Sequence, residues 1–145
     1  KAKKSAECTH NHPEGIKGAQ ATALAIMMAR HGCDKNEIRS EIEKRFEYDL
    51  QFTCEQIRPT YTWGGTCQDS VPQAIVAFLD GEDYEDSIRN AISIGGDSDT
   101  IGCITGSIAE AYFGIPADLR NSAMNYLPEE FQSIISEFEN KFGNK

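Results

Sequence analysis

The stretch Thr100-Ile101-Gly102-Cys103-Ile104-Thr105-Gly106-Ser107-Ile108-Ala109-Glu110-Ala111-Tyr112-Phe113 places Ile101, Ile104, Ile108, Ala111 and Tyr112 at helical spacing. Its Gly102, Gly106 and Ala109 permit another helix to approach closely. Immediately upstream, Tyr84 to Ile94 repeats the pattern, with Ile88, Ala91 and Ile92 expected to face inward, and stops at Gly95-Gly96. Further back, Ser70 is expected to cap a helix with Val71 and Pro72 in its first turn, ending at Leu79. Pro13 to Arg30 reads as a largely apolar helix capped by Asn11 or His12. A helix opening at Asp34 carries Glu37 in capping-box spacing and Ile38, Ile42 and Phe46 on one face. Ile115-Pro116 and Pro128 open the last two, the final one lining up Phe131, Ile134, Ile135, Phe138 and Phe142. These are seven helical patterns without a convincing strand. The fold class is all-α.

The chain has 145 residues, a length that fits one domain and buries roughly 70% of its unfolded surface. No internal repeat, low-complexity tract or linker divides it. Lys plus Arg number 14 against 23 for Asp plus Glu, a formal charge of −9. Such a chain repels polyanions at long range, which argues against sequence-specific DNA as a partner but not against a small phosphorylated ligand. No run reaches the 18 apolar residues of a membrane span, so a membrane partner is not expected. Five cysteines, at 8, 33, 54, 67 and 103, contain no C-x-x-C pair. Buried thiols in a reducing, cytoplasmic setting are the expectation.

Chemistry concentrates in Gly95-Gly96-Asp97-Ser98-Asp99-Thr100-Ile101-Gly102. Two carboxylates and a hydroxyl follow a glycine pair at the entrance to a helix, and their oxygens are hard ligands suited to Mg²⁺, Mn²⁺ or Ca²⁺. The plain alternative is that Asp99 caps the helix and Asp97 is a solvated turn residue. An EF-hand is excluded: counting from Asp97, the fifth position is Ile101 and the twelfth Ile108 rather than Glu. Three side chains cannot close a six-coordinate site, so a metal here needs carboxylates from elsewhere. Without a cation, clustered carboxylates repel, so at least one is expected to hold its proton more tightly. A second candidate is Cys8-Thr9-His10-Asn11-His12-Pro13-Glu14-Gly15, where one histidine can cap the helix and the pair can face a ligand. A third is Tyr61 with Trp63, Gly64 and Gly65, either a base-stacking loop or a cover over the core.

Together, T-H-N-H-P-E-G-I-K-G-A at 9–19, C-Q-D-S-V-P-Q-A at 67–74, G-G-D-S-D-T-I-G at 95–102 and I-T-G-S-I-A-E-A-Y at 104–112 resemble the ADP-ribosylglycohydrolase family. The resemblance implies an orthogonal multi-helix bundle, with residues 1–145 forming the C-terminal part of such a domain. It implies a hydrolase that removes ADP-ribose from a modified protein side chain or related acceptor, using two divalent cations, Mg²⁺ or Mn²⁺. On that resemblance Asp97, Asp99 and Thr100 are the expected metal ligands. His10, His12, Gly95, Gly96 and Tyr61 are the expected substrate-binding residues. No general acid or base is assigned. The family's further metal carboxylates lie in an N-terminal half whose segments do not occur here. A second chain supplying that half is one expectation; a non-catalytic ADP-ribose-binding or structural relative is the alternative.

Overall fold

The computed structural model describes residues 1–143. Those residues contain helices and no strand, as the spacing predicts. The chain divides into two compact units, Lys1–Gly114 and a second from Ile115 onward. The first holds α1 (Ala2–Ala6), α2 (Pro13–Arg30), α3 (Lys35–Phe46), α4 (Cys54–Ile57), α5 (Cys67–Asp80), α6 (Tyr84–Ile94) and α7 (Ser98–Phe113). The second holds α8 (Ala117–Met124) and α9 (Glu129–Phe142). Helices α1 and α4 were not expected from sequence; at five and four residues they are too short to show a period.

Helix α5 is the centre of the first unit, with α2, α6 and α7 packed against it. Ala74, Ile75, Val76, Ala77 and Phe78 are fully buried on it, and Pro72 is buried within it. Thr105 of α7 donates a buried hydrogen bond to the Ala74 carbonyl at 2.9 Å, which links two helices. The α6–α7 pair shows why small residues stand on α7: a Cβ on Gly106 would lie 3.1 Å from Ile88 Cδ1. Phe78 meets Tyr112 and Phe113 edge-on at 5.3 and 6.1 Å between ring centroids, the geometry that aromatic quadrupoles favour. Helix α3 begins with the expected capping box, Asp34 and Glu37 each closing on the other's backbone N–H.

Three local expectations are corrected. Ser70 does not cap α5: the helix starts at Cys67 with Thr66 at the cap position, and the Ser70 hydroxyl donates back to the Thr66 carbonyl at 3.0 Å. Helix α7 starts at Ser98 rather than Thr100, because Asp97 already stands outside the helix with ψ of 62°. Ile92 is half exposed rather than fully inward: its Cδ1 lies against Gly102 of α7, while the buried stripe of α6 runs through Ser87, Ala91 and Ile94. Among the thiols, Cys54 is buried, Cys33 and Cys67 are half-buried, and Cys8 and Cys103 are exposed. No helix among the described residues is long and apolar enough to cross a membrane.

In the second unit, Arg120 of α8 reaches Glu139 of α9 with an amino group 2.6 Å from Oε1. Gln132 donates to the carbonyls of Met124 and Leu127, which fixes the turn between the helices. The aligned Phe131, Ile134, Phe138 and Phe142 remain about half exposed.

Candidate functional site

The site is built where α6 ends and α7 begins. Gly95 closes α6 by donating its N–H to the Ile92 carbonyl, and both glycines have positive φ, 82° and 65°. That conformation strains residues with a Cβ, so the pair permits the sharp reversal into α7. At Gly96 a second reason applies: a Cβ there would collide with Cε1 of Tyr61. The Tyr61 ring therefore lies directly on the backbone of the turn. Its hydroxyl donates to the Asp69 carbonyl at the start of α5, which holds the ring in place. Burial, with the charges of Asp69 and Asp97 behind it, pushes the Tyr61 hydroxyl above its ordinary pKa.

Asp97 occupies the cap position of α7, yet its side chain caps no backbone N–H. Asp99 lies in the first turn, exposed, with Oδ1 accepting from the Thr100 N–H at 3.0 Å. Neither aspartate is thus consumed by ordinary helix capping. Asp99 holds its proton less tightly than an ordinary carboxyl. A hydrogen bond from Asp97, followed by the Thr100 N–H, holds its carboxyl below the ordinary range. Thr100 is exposed one position further on.

The aromatic loop opens onto a cavity of about 350 Å³ lined by Ile57, Tyr61, Trp63, Gly64, Asp69 and Gln73, among others. Trp63 is 72% exposed, and the Gln73 Oε1 is buried without a hydrogen-bond partner. The loop is divided: Tyr61 packs against the core, while Trp63 stands away from it. Gln73 lies within the 67–74 segment, but its place in the cavity depends on the turn that Tyr61 makes toward α5.

The two histidines stand at the entrance to α2. His12 caps that helix, its Nδ1 accepting from the Glu14 N–H at 3.2 Å, and His10 shares a 2.9 Å hydrogen bond between Nδ1 and Thr9 Oγ1. Both are exposed, and α2 packs against α7. No hydrogen bond or ion pair among the described residues joins either histidine to Asp97 or Asp99. The structure thus gathers Tyr61, Gly95, Gly96, Asp97, Asp99 and Thr100 and leaves His10 and His12 on a neighbouring element.

Asp97, Asp99 and Thr100 present hard oxygens of the kind Mg²⁺ and Mn²⁺ accept. Among the described residues, no group of three or more His, Cys, Asp and Glu side chains could hold a metal by itself.

Compared with known protein families, residues 1–145 match ADP-ribosylglycohydrolase along their whole length. The chain belongs to the ADP-ribosylglycohydrolase family. The family is generally dependent on divalent metals. Among curated proteins, the chain is 32% identical over 127 residues to an uncharacterised protein of Archaeoglobus fulgidus, covering 77% of this chain and 42% of the relative. It is 29% identical over 142 residues to the ADP-ribosylhydrolase ARH3 of Homo sapiens, covering 88% of this chain and 36% of that protein. The chain therefore spans less than half the length of either relative. No solved structure matches it.

Proposed function

We propose that this chain binds ADP-ribose at the α6–α7 turn and serves in hydrolysis of the glycosidic bond joining ADP-ribose to a modified protein side chain or related acceptor. The observation that carries the reading is the convergence of Tyr61, the glycine pair and two aspartates that cap no helix beside an open aromatic cavity. Family membership and the printed name of the human relative support the substrate class.

Asp97, Asp99 and Thr100 would hold divalent cations, Mg²⁺ or Mn²⁺, with the remaining ligands coming from ligand oxygens, water and carboxylates outside these 145 residues. Bound cations would polarise the ribose hydroxyls and a water molecule. Gly95 lets the ribose approach the backbone, since a Cβ there would meet nothing within 4 Å, while Gly96 gives its free side to the Tyr61 ring that borders the ligand. Tyr61, locked by Asp69, forms one wall, and Trp63 offers a face for the base. His10 and His12 border the acceptor side. Hydrolysis adds water across the bond: the anomeric carbon takes the hydroxyl, and the departing acceptor takes the proton.

Calorimetric titration of ADP-ribose into the chain, with and without Mg²⁺, tests the reading. Binding that requires Mg²⁺ is the expected result. Failure to bind in both conditions, or binding indifferent to the metal, overturns it.

A second reading, a binding or structural relative without turnover, draws on the absence among the described residues of a third His, Cys, Asp or Glu grouped with Asp97 and Asp99. Release of free ADP-ribose from a mono-ADP-ribosylated peptide separates the two. Metal-dependent binding without release favours the second.

A further inference from the structure

An acidic chain that binds a diphosphate beside two aspartates must offset the repulsion of like charges. Cations held by Asp97, Asp99 and Thr100 would do so at the ribose end. The motifs do not name the cation that serves the diphosphate, and several of the chain's arginines and lysines are already engaged. Arg45, Arg89 and Arg120 are paired with Glu41, Glu85 and Glu139, and Lys17 lies 3.7 Å from Glu14. Arg39 is spent on the Leu50 carbonyl, and Lys35 on the carbonyls of Leu79 and Gly81.

Arg58 is different. It ends α4, with its N–H bonded to the Cys54 carbonyl, and precedes Pro59 in the tight turn that delivers Tyr61. The Thr60 and Tyr61 N–H groups both return to the Ile57 carbonyl, so the turn sends Tyr61 onto Gly96 and Arg58 toward the end of α6. There the Arg58 Nε donates to Ser93 Oγ at 3.0 Å, and Ser93 Oγ in turn donates to the Asn90 carbonyl at 2.8 Å. The guanidinium is exposed and oriented by a hydroxyl rather than a carboxylate. None of the ion pairs among the described residues includes it. Two residues beyond Ser93, the space above Gly95 is open: a Cβ there would meet nothing within 4 Å.

We propose that Arg58 is the diphosphate-recognising residue of this site, its anchored guanidinium reaching over Gly95 to a ligand that runs from the aspartates to the aromatic cavity. The inference rests on the reading above and deepens it: the site selects diphosphate-linked ribose over uncharged ribosides. A planar guanidinium fixed through Nε leaves its terminal amino groups for anion oxygens, the geometry that suits phosphate. Ser93 is the positioning residue, because it fixes the plane of the guanidinium without touching the ligand.

The test measures ADP-ribose affinity in Mg²⁺ for the unchanged chain, Arg58→Gln and Ser93→Ala, at several salt concentrations. Arg58→Gln is expected to weaken binding roughly ten- to hundredfold, as for lost charge-assisted hydrogen bonds, and to flatten the salt dependence. Ser93→Ala keeps the charge, so it should lose several-fold in affinity while retaining the salt dependence. Wild-type affinity in Arg58→Gln overturns the role of Arg58 and leaves the reading of the site intact. Weakened binding with an unchanged salt dependence also overturns it, since a merely structural role would behave that way. No affinity in the unchanged chain overturns the site itself and this inference with it. Arg58 is exposed, so equal melting temperatures are expected for the three proteins.

Discussion

The ring of Tyr61 occupies the space that a side chain on residue 96 would need, so Gly96 and Tyr61 are parts of one unit although they come from different elements. Gly96→Ala therefore meets two obstacles, a positive φ and the ring. We expect destabilisation of about 1–3 kcal/mol, measurable by urea unfolding. The same change combined with Tyr61→Ala should recover part of that loss, because the collision is gone while the backbone strain stays. A double variant no better than the single one would contradict the contact.

Asp97 stands at a helix cap without performing the capping. Replacing a working cap with Ala costs about 1 kcal/mol. Asp97→Ala should instead change stability by less than about 0.5 kcal/mol, while abolishing any rise in melting temperature caused by Mg²⁺. Thermal scans with and without the metal report both quantities. A large loss of stability without the metal would mean that Asp97 is structural.

Thr105 joins α7 to α5 through the Ala74 carbonyl in a fully buried setting. Thr105→Val keeps the shape and removes the donor, leaving a buried carbonyl without that hydrogen bond. A loss of about 1–3 kcal/mol is expected. Thr105→Ser keeps the hydroxyl and should lie closer to wild type in the same denaturation series.

Alkaline pH should unfold the protein by way of Cys54 and Tyr48. Burial, with the neighbouring Asp80 charge added to it, pushes the Cys54 thiol from an ordinary 9.0 to about 12. Burial, with the charges of Cys67 and Glu14 behind it, pushes the Tyr48 hydroxyl from 10.0 to about 12. Both folded values are raised. Their contributions are therefore complete below the unfolded values and are lost as pH rises, from about pH 9 for the thiol and pH 10 for the phenol. Unfolding free energy measured at pH 8, 9, 10 and 11 should decline, and Cys54→Ala should flatten the first step. An unchanged curve in that variant would remove Cys54 from the account.

Much of this was legible along the chain because the signals are local. Helical spacing identified every helix long enough to display a period, and the Asp34–Glu37 box marked its own boundary. The glycine pair with Asp97 and Asp99 marked the turn from α6 into α7 within six residues. What stayed hidden depends on tertiary pairing. Arg58 gains meaning from Ser93, 35 residues away, and Gln73 from a cavity shaped by a loop without periodicity. Ser70 misled because a hydroxyl near a helix start reads as a cap, whereas here it bonds back to the preceding turn. Ile92 misled because α6 turns a narrower stripe toward its neighbours than an apolar count implies.

Trp63 is the only tryptophan in the chain, and it stands largely in water at the rim of the aromatic cavity. The molecule thus carries its own optical gauge at the cavity proposed to take the base. Excitation of the indole interrogates the mouth of the cavity and nothing else, so a change in emission on adding a nucleotide reads local filling without a label.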